Sequence, residues 1–393
     1  MPASQAGRRG FESRLPLEFF KADIYSVMND MGQKIFFTVG PTQLYSNVKD
    51  FLLEGIKKNI YSVNHRSDEF TEISRFTINQ LKKLLNIPDN FYIFFLSSAT
   101  ECMERIIENL VEEQSYHFVN GFFARRFYNI SNQLKKRPLR NLTGYGDGID
   151  FSNISIPEKT ELICLTANET STGAAINDMA PVYNLKKEHP DKIFALDAVT
   201  SVPYYRINFD YIDTAFFSVQ KGFGIPAGLG VLIINKKCIE KTIYLRGKGH
   251  NIGSFNNFIN LAEKAEKYQT SVTPNVLGIY LLGKVCKLLN KEGLKSIRSE
   301  TDKKSELIYS KAENFKNVKP FVRNPGHRSK TTICLQISKA HNKIYTGLTK
   351  KGLIVSNGYG DFKNKHIRIG NFPMHKISQV KLLMEEIGKT EKK

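Results

Sequence analysis

The 393-residue chain contains no tryptophan, so aromatic stacking falls to its 27 phenylalanines and 17 tyrosines. No apolar run approaches the roughly 18 residues of a spanning helix, and no helical membrane segment is expected. Cysteine is scarce: Cys102, Cys164, Cys238, Cys286 and Cys334 lie far apart, with no C-x-x-C and no histidine at ligand spacing. Neither a disulfide framework nor a metal site is expected, and reduced thiols in a cytoplasmic protein are the simple reading. Acidic residues are few, 38 against 57 Lys and Arg, for a formal charge of +19. That charge would suit a nucleic-acid binder, but the basic residues are scattered rather than gathered on one arm or helix face.

The length allows one large domain and a smaller one. Residues 1–33 carry Arg8, Arg9 and Arg14 among small polar residues and precede any strand pattern. They read either as a transit peptide, against which Glu12, Glu18 and Asp23 count, or as a non-functional extension before a start at Met28 or Met31. The second reading is preferred.

Between residues 90 and 235 short apolar runs alternate with longer amphipathic stretches, as in strands joined by crossover helices in a largely parallel sheet. Strands are expected near 91–97, 116–120, 161–167, 193–198, 214–218 and 229–234, with helices over 101–113 and 122–134. This large domain is placed at 34–290. An apolar helix from Val276 to Leu289, a Lys-rich stretch, strand-like runs at 331–337 and near 366–369, and a helix at 376–387 suggest a smaller α+β domain over 291–393.

In such a sheet ligands bind at the carboxyl ends of the strands, and the unusual residues gather there. Lys221 stands on a glycine turn after Thr214–Phe217, and Asp197 closes Ile193–Leu196. An amine that condenses with a carbonyl and an anion for a pyridine nitrogen are what pyridoxal phosphate (PLP) chemistry requires. Taken singly, Lys221 reads equally as a surface lysine and Asp197 as a helix cap. Ser98, Ala99 and Thr100 open a helix after a strand, a place suited to a phosphate or to ordinary N-capping. Phe123 is a ring for stacking or for the core, and Thr170 a partner for the cofactor's phenolic oxygen or for a turn. His65, Arg66 and Arg368 are candidates for a substrate carboxylate, since a guanidinium grips it with two parallel hydrogen bonds, or are surface residues.

Together, Gly40-Pro41-Thr42, Asn64 to Phe70 (NHRSDEF), Gly121 to Arg126 (GFFARR), Asn168 to Gly173 (NETSTG), Asp197 to Ser201 (DAVTS) and Ser218 to Gly222 (SVQKG) occur in the order seen in class V aminotransferases. From about Phe37 to Phe372 the chain resembles that family, which has PLP fold type I: a large domain with a mostly parallel seven-stranded sheet flanked by helices, and a smaller C-terminal domain. The resemblance implies Lys221 as the Schiff-base lysine, Asp197 as the pyridinium partner, Thr170 at the ring oxygen and Phe123 as the stacking aromatic. It implies Ala99, Thr100 and Gln220 at the phosphate, with Thr273 reaching the phosphate of the neighbouring subunit in a homodimer.

Within the family, the N-H-R-S run and Thr273 to Gly283 (TPNVLGIYLLG) are similar to phosphoserine aminotransferases. Those enzymes carry a His-Arg pair seven and six residues before the carboxylate arginine, where this chain has Asp361 and Phe362, and Val272 replaces a usual asparagine. Arg368-Ile369-Gly370-Asn371 is closer to alanine– and serine–glyoxylate aminotransferases. The expectation is therefore a PLP-dependent transaminase moving an amino group from a small L-amino acid to a 2-oxo acid. The alternatives are a PLP lyase or cysteine desulfurase, which would need a reactive cysteine such as Cys334, and a non-catalytic basic nucleic-acid-binding protein.

Overall fold

The computed structural model describes residues 34–391; the expected extension, residues 1–33, lies outside them. The strands are β1 Ile35–Phe37, β2 Phe91–Leu96, β3 Ser115–Val119, β4 Leu139–Leu142, β5 Leu162–Thr166, β6 Asn168–Glu169 and β7 Ala174–Ala175. They continue with β8 Ile193–Asp197, β9 Thr214–Ser218, β10 Gly230–Asn235, β11 Val318–Pro320, β12 Thr332–Ile337, β13 Leu353–Asn357 and β14 His366–Gly370.

Seven strands form the large sheet in the order β2-β10-β9-β8-β5-β3-β4. All neighbours are parallel except β10, which runs antiparallel to both β2 and β9. Strands β3, β5, β8 and β9 are buried along their whole length, which is why they read as short unbroken apolar runs: a sheet covered on both faces has no polar side to alternate with. Two apolar clusters cover it. One packs helices Asp68–Leu85 and Val276–Glu292 on the face bearing Ile163, Phe194 and Phe217. The other packs helices Ala99–Leu110 and Phe258–Ala265 on the face bearing Cys164, Ala195 and Phe216.

Local chemistry sets the helix ends. Ser67 Oγ accepts the Phe70 N–H at 3.2 Å to start helix 68–85, Asp68 and Glu69 sit in its first turn and Lys82 and Lys83 in its last, each sign facing the favourable end of the helix dipole. Asn86, at φ 54°, closes it in the left-handed conformation that asparagine tolerates.

The second sheet has the order β1-β13-β14-β12-β11, with β1 parallel to β13 and the other pairs antiparallel. The 34–290 boundary therefore needs correction at its start, because Ile35–Phe37 completes the C-terminal sheet instead of the large one. Helices Leu294–Asn314, His341–Lys350 and Ile377–Glu391 pack against it through Ile308, Leu348 and Leu383. Among the described residues no helix is long and apolar enough to cross a membrane.

Lys304, 1% exposed, ties this unit together: its Nζ donates to Phe372 O at 3.0 Å and His375 O at 2.8 Å. His375 in turn stacks on Phe37, with ring centroids 4.9 Å apart, and its Nε2 lies 2.9 Å from Phe36 O. Lys304→Ala strands two buried carbonyls and should cost about 2–4 kcal/mol, measurable as a fall in the denaturant midpoint at unchanged m-value.

Candidate active site

Because β5, β8 and β9 run parallel, their carboxyl ends lie along one edge of the sheet. Asp197, the last residue of β8, is in register with Thr166 of β5 and Phe216 of β9. Lys221 follows β9 on the turn toward β10. Both side chains line one cavity, with Ser98, Ala99 and Thr100 from the start of helix 99–110 and with Phe123, Thr170 and Gln220. These residues, scattered over more than a hundred positions of sequence, meet at one place.

Lys221 is buried, and its Nζ donates to Val39 O at 2.9 Å. Its tail lies directly against Gly40, where an added Cβ would stand 2.1 Å from Nζ and where φ is +141°. Burial first, then the Arg368 guanidinium and to a lesser degree Arg126, hold the amine down to about 8, against the opposing pull of Asp197. Asp197 is also buried. Burial pushes its carboxyl up to about 7, Glu169 adds to the rise, and the Val199 N–H at 3.0 Å, Lys221 and Arg126 oppose it.

Phe123 is fixed by a buried acid. Glu169 Oε2 accepts the Phe123 and Ala124 N–H groups at 3.0 and 2.9 Å, while Oε1 accepts from Ser171 N and Oγ at 2.9 and 2.6 Å. Ser171 Oγ accepts the Phe122 N–H at 3.0 Å. These bonds satisfy the first amides of helix Phe122–Gln133, which would otherwise be orphans. Gly121 is required by close approach, since a Cβ there would lie 2.3 Å from Glu169 Cγ.

Ser98 does act as an N-cap, accepting the Glu101 N–H at 3.2 Å, and Ala99 N donates to Ser218 Oγ at 3.1 Å. Thr170 Oγ1 lies 3.0 Å from Thr200 Oγ1. Arg368, buried in β14, is held by Asn357 O at 2.8 Å from Nε and Thr170 O at 3.2 Å from Nη1, with Tyr359 beneath its guanidinium at 5.4 Å.

Four expected residues do not line this cavity within one chain: Arg368, which bonds Thr170 O beside it, and Thr273, Arg66 and His65. Thr273 is exposed and lines a neighbouring groove with Ser97 and Glu101. Arg66 is exposed and bonds Thr270 O at 2.6 Å and Ser271 O at 3.4 Å, next to Thr273, and His65 precedes it. Conversely, the cavity includes Arg126, Ser218 and Met103, to which the sequence reading gives no role. Arg126 sits in the GFFARR run, one helical turn beyond Phe123, and that spacing was the available signal.

The sequence model of the class-V aminotransferases matches residues 142–361. The chain belongs to the class-V aminotransferases. This aminotransferase is 38% identical to a phosphoserine aminotransferase of Cytophaga hutchinsonii of known structure, over 91% of this chain and 99% of that one, with a TM-score of 0.89. It is 25% identical to the phosphoserine aminotransferase of Rhodococcus opacus, over 89% of this chain and 93% of the relative. The alanine–glyoxylate aminotransferase of a Nostoc species shares the fold, with 20% identity and a TM-score of 0.78 over 92% of this chain and 96% of that one. The architecture is PLP fold type I and the enzyme is a PLP-dependent aminotransferase. The lyase, desulfurase and nucleic-acid readings are not favoured. Cys334 lies in the middle of β12, and burial pushes its thiol up to about 12, unsuited to a nucleophile.

Two outcomes follow for this aminotransferase. Gly40→Ala should push Lys221 off Val39 O and slow reaction of the Lys221 amine with pyridoxal, with the far-UV circular dichroism unchanged. In the apo-protein, Lys221 gains reactivity as pH rises through about 8. Arg368→Gln removes a cation that disfavours its protonation, so the midpoint of that profile should move to higher pH.

Proposed function

We propose that Lys221 is the lysine that carries PLP, that Asp197 faces its pyridine nitrogen, and that the enzyme transaminates phosphoserine against a 2-oxo acid. The observation that carries the cofactor reading is the shared cavity of a buried amine, a buried carboxyl with one oxygen engaged by Val199 N–H, and the start of helix 99–110. This donor set fits the group: an amine for its aldehyde, an anion for its ring, and a helix start for its phosphate. When bound, PLP supplies an aldehyde for amine condensation and a ring that draws electrons from the substrate's α-carbon.

The chain's own residues do the rest. The depressed pKa of Lys221 keeps a neutral fraction of Nζ near physiological pH, able to attack a carbonyl and, when released, to move a proton at the substrate's α-carbon. Asp197, with one oxygen free of protein donors, would face the ring nitrogen as a carboxylate and favour its protonated form. Phe123, its amide held by Glu169, would stack on the ring. Thr170 would supply a hydroxyl for the phenolic oxygen. Arg368, pre-set by Asn357 O and Thr170 O, takes the substrate's α-carboxylate in a two-bond grip.

The phosphoserine assignment is supported by the 38% identical Cytophaga relative. Asp361, which stands where those enzymes have a histidine, is exposed at the turn Gly360–Phe362, so its charge is solvated and screened. His65, Arg66 and Thr273 lie together on the outside of one chain, and we assign them to the site of a second copy in a homodimer, where Arg66 adds a cation and Thr273 a hydroxyl for a phosphate.

Lys221→Ala should carry no covalent cofactor after borohydride reduction and intact-mass measurement, and its turnover should fall roughly 10³-fold or more; covalent cofactor in that variant would overturn the assignment. Among phosphoserine, serine and alanine as donors with 2-oxoglutarate, pyruvate and glyoxylate as acceptors, phosphoserine should give the highest kcat/KM. A preference for alanine or serine with glyoxylate would place the enzyme in the other branch. For the shared site, mixing Lys221→Ala with Arg66→Ala protein under subunit exchange should restore activity toward about one quarter of the wild-type sites, since each mixed dimer regains one intact set. No recovery despite exchange would count against sharing.

A further inference from the structure

Arg126 is the one cavity residue whose charge the mechanism above leaves unused. It lies three residues after Phe123 on helix 122–133, hence on the same face. Its neighbour Arg125 points elsewhere, with its guanidinium 5.4 Å from the Tyr145 ring centroid and 6.0 Å from that of Phe122. Arg126 Nη1 stands 3.5 Å from Thr100 Oγ1, Nη2 lies 3.2 Å from the Tyr359 hydroxyl, and the guanidinium is 5.1 Å from the centre of the Phe123 ring. Among the described residues it forms no ion pair with a carboxylate. A cation is thus held at the mouth of a helix, beside a hydroxyl, with no anion of its own.

The start of helix 99–110 is less generous to a phosphate than its position suggests. Ser98 Oγ already takes the Glu101 N–H, and the Ala99 N–H is already given to Ser218 Oγ. What is left on that turn is the amide and hydroxyl of Thr100, neutral donors facing a group that carries nearly two negative charges. The charged residues lining the cavity are Arg126, Asp197 and Lys221. Asp197 has the wrong sign, and Lys221 is committed to the aldehyde. Arg368 does not line the cavity, and the mechanism above gives it to the substrate's α-carboxylate.

We propose, resting on the reading that this cavity holds PLP, that Arg126 is the charge partner of the cofactor's phosphate within the same chain, acting with the Thr100 amide and hydroxyl. Arg126 then determines how tightly the cofactor is retained, and it distinguishes phosphorylated pyridoxal from its unphosphorylated form. Thr100 and Arg126 work as a pair from two adjacent helices, one giving directional donors and the other the charge.

The test is equilibrium binding of PLP and of pyridoxal to the cofactor-stripped full chain, in wild type, Arg126→Ala and Arg126→Lys. Loss of a charge-assisted contact should weaken PLP about 10- to 100-fold in Arg126→Ala while pyridoxal binding is unchanged, and Arg126→Lys should recover part of the loss. Inorganic phosphate should compete with PLP more strongly in wild type than in Arg126→Ala. Equal weakening of PLP and pyridoxal would overturn the proposal in favour of a structural role, as would failure of lysine to recover any binding. Unchanged PLP affinity with a raised KM for phosphoserine would overturn it in favour of a substrate anchor. Failure of the wild-type protein to bind PLP at all is a separate result, which overturns the cofactor reading itself.

Discussion

Lys221 and Asp197 are both buried in one cavity without being joined in an ion pair, and much of the molecule is arranged around keeping them so. An unpaired buried charge is expensive, and each group answers by moving its pKa toward neutrality, the amine down and the carboxyl up. Two guanidiniums, Arg368 and Arg126, reinforce the descent of Lys221, and Arg126 also opposes the rise of Asp197. The site is therefore biased toward positive potential before any ligand arrives, which suits a cofactor and substrates that both carry acid groups. The backbone supports this bias from rigid elements: strand ends supply Asp197 and Lys221, and helix starts supply Thr100 and Phe123.

Glu169 shows how one buried acid can be given over to structure. Its carboxylate spends both oxygens on four donors from Phe123, Ala124 and Ser171, so it sits deep in the protein as a helix cap. Asp197, which keeps an oxygen free of protein donors, is left to interact with whatever enters. The contrast between the two acids is set by hydrogen bonds rather than by burial, since both are nearly inaccessible.

The parts of this arrangement legible in the sequence are those carried by short-range pattern. The runs at 91–96, 193–197 and 214–218 are apolar because their sheet is covered on both faces, and their ends mark the ligand edge, so Asp197 and Lys221 stood out. Strand β4, Leu139-Arg140-Asn141-Leu142, is half-exposed and only four residues long, which leaves no apolar run to notice. The pairing of β1 with β13 joins Ile35 to Leu353, a partnership with no local trace. Arg126 was hidden for another reason. Two arginines in succession on a helix look alike in sequence, and only the rotation between adjacent positions sends Arg125 onto aromatic rings and Arg126 into the cavity. Thr273, Arg66 and His65 fall outside the cavity of their own chain, so a residue order can announce them while a single chain leaves them apart.

The same β1 segment has a consequence for how the enzyme comes into being. Residues 35–37 are made among the first of the described chain, yet their sheet partners lie at 353–355, near the last. Val39, two residues further, supplies the carbonyl that positions Lys221. The wall behind the lysine is therefore built by a contact of long sequence separation, between residues 35–37 and 353–355. A truncated or half-made chain would own the lysine and the aspartate and still lack the posture that makes them a site.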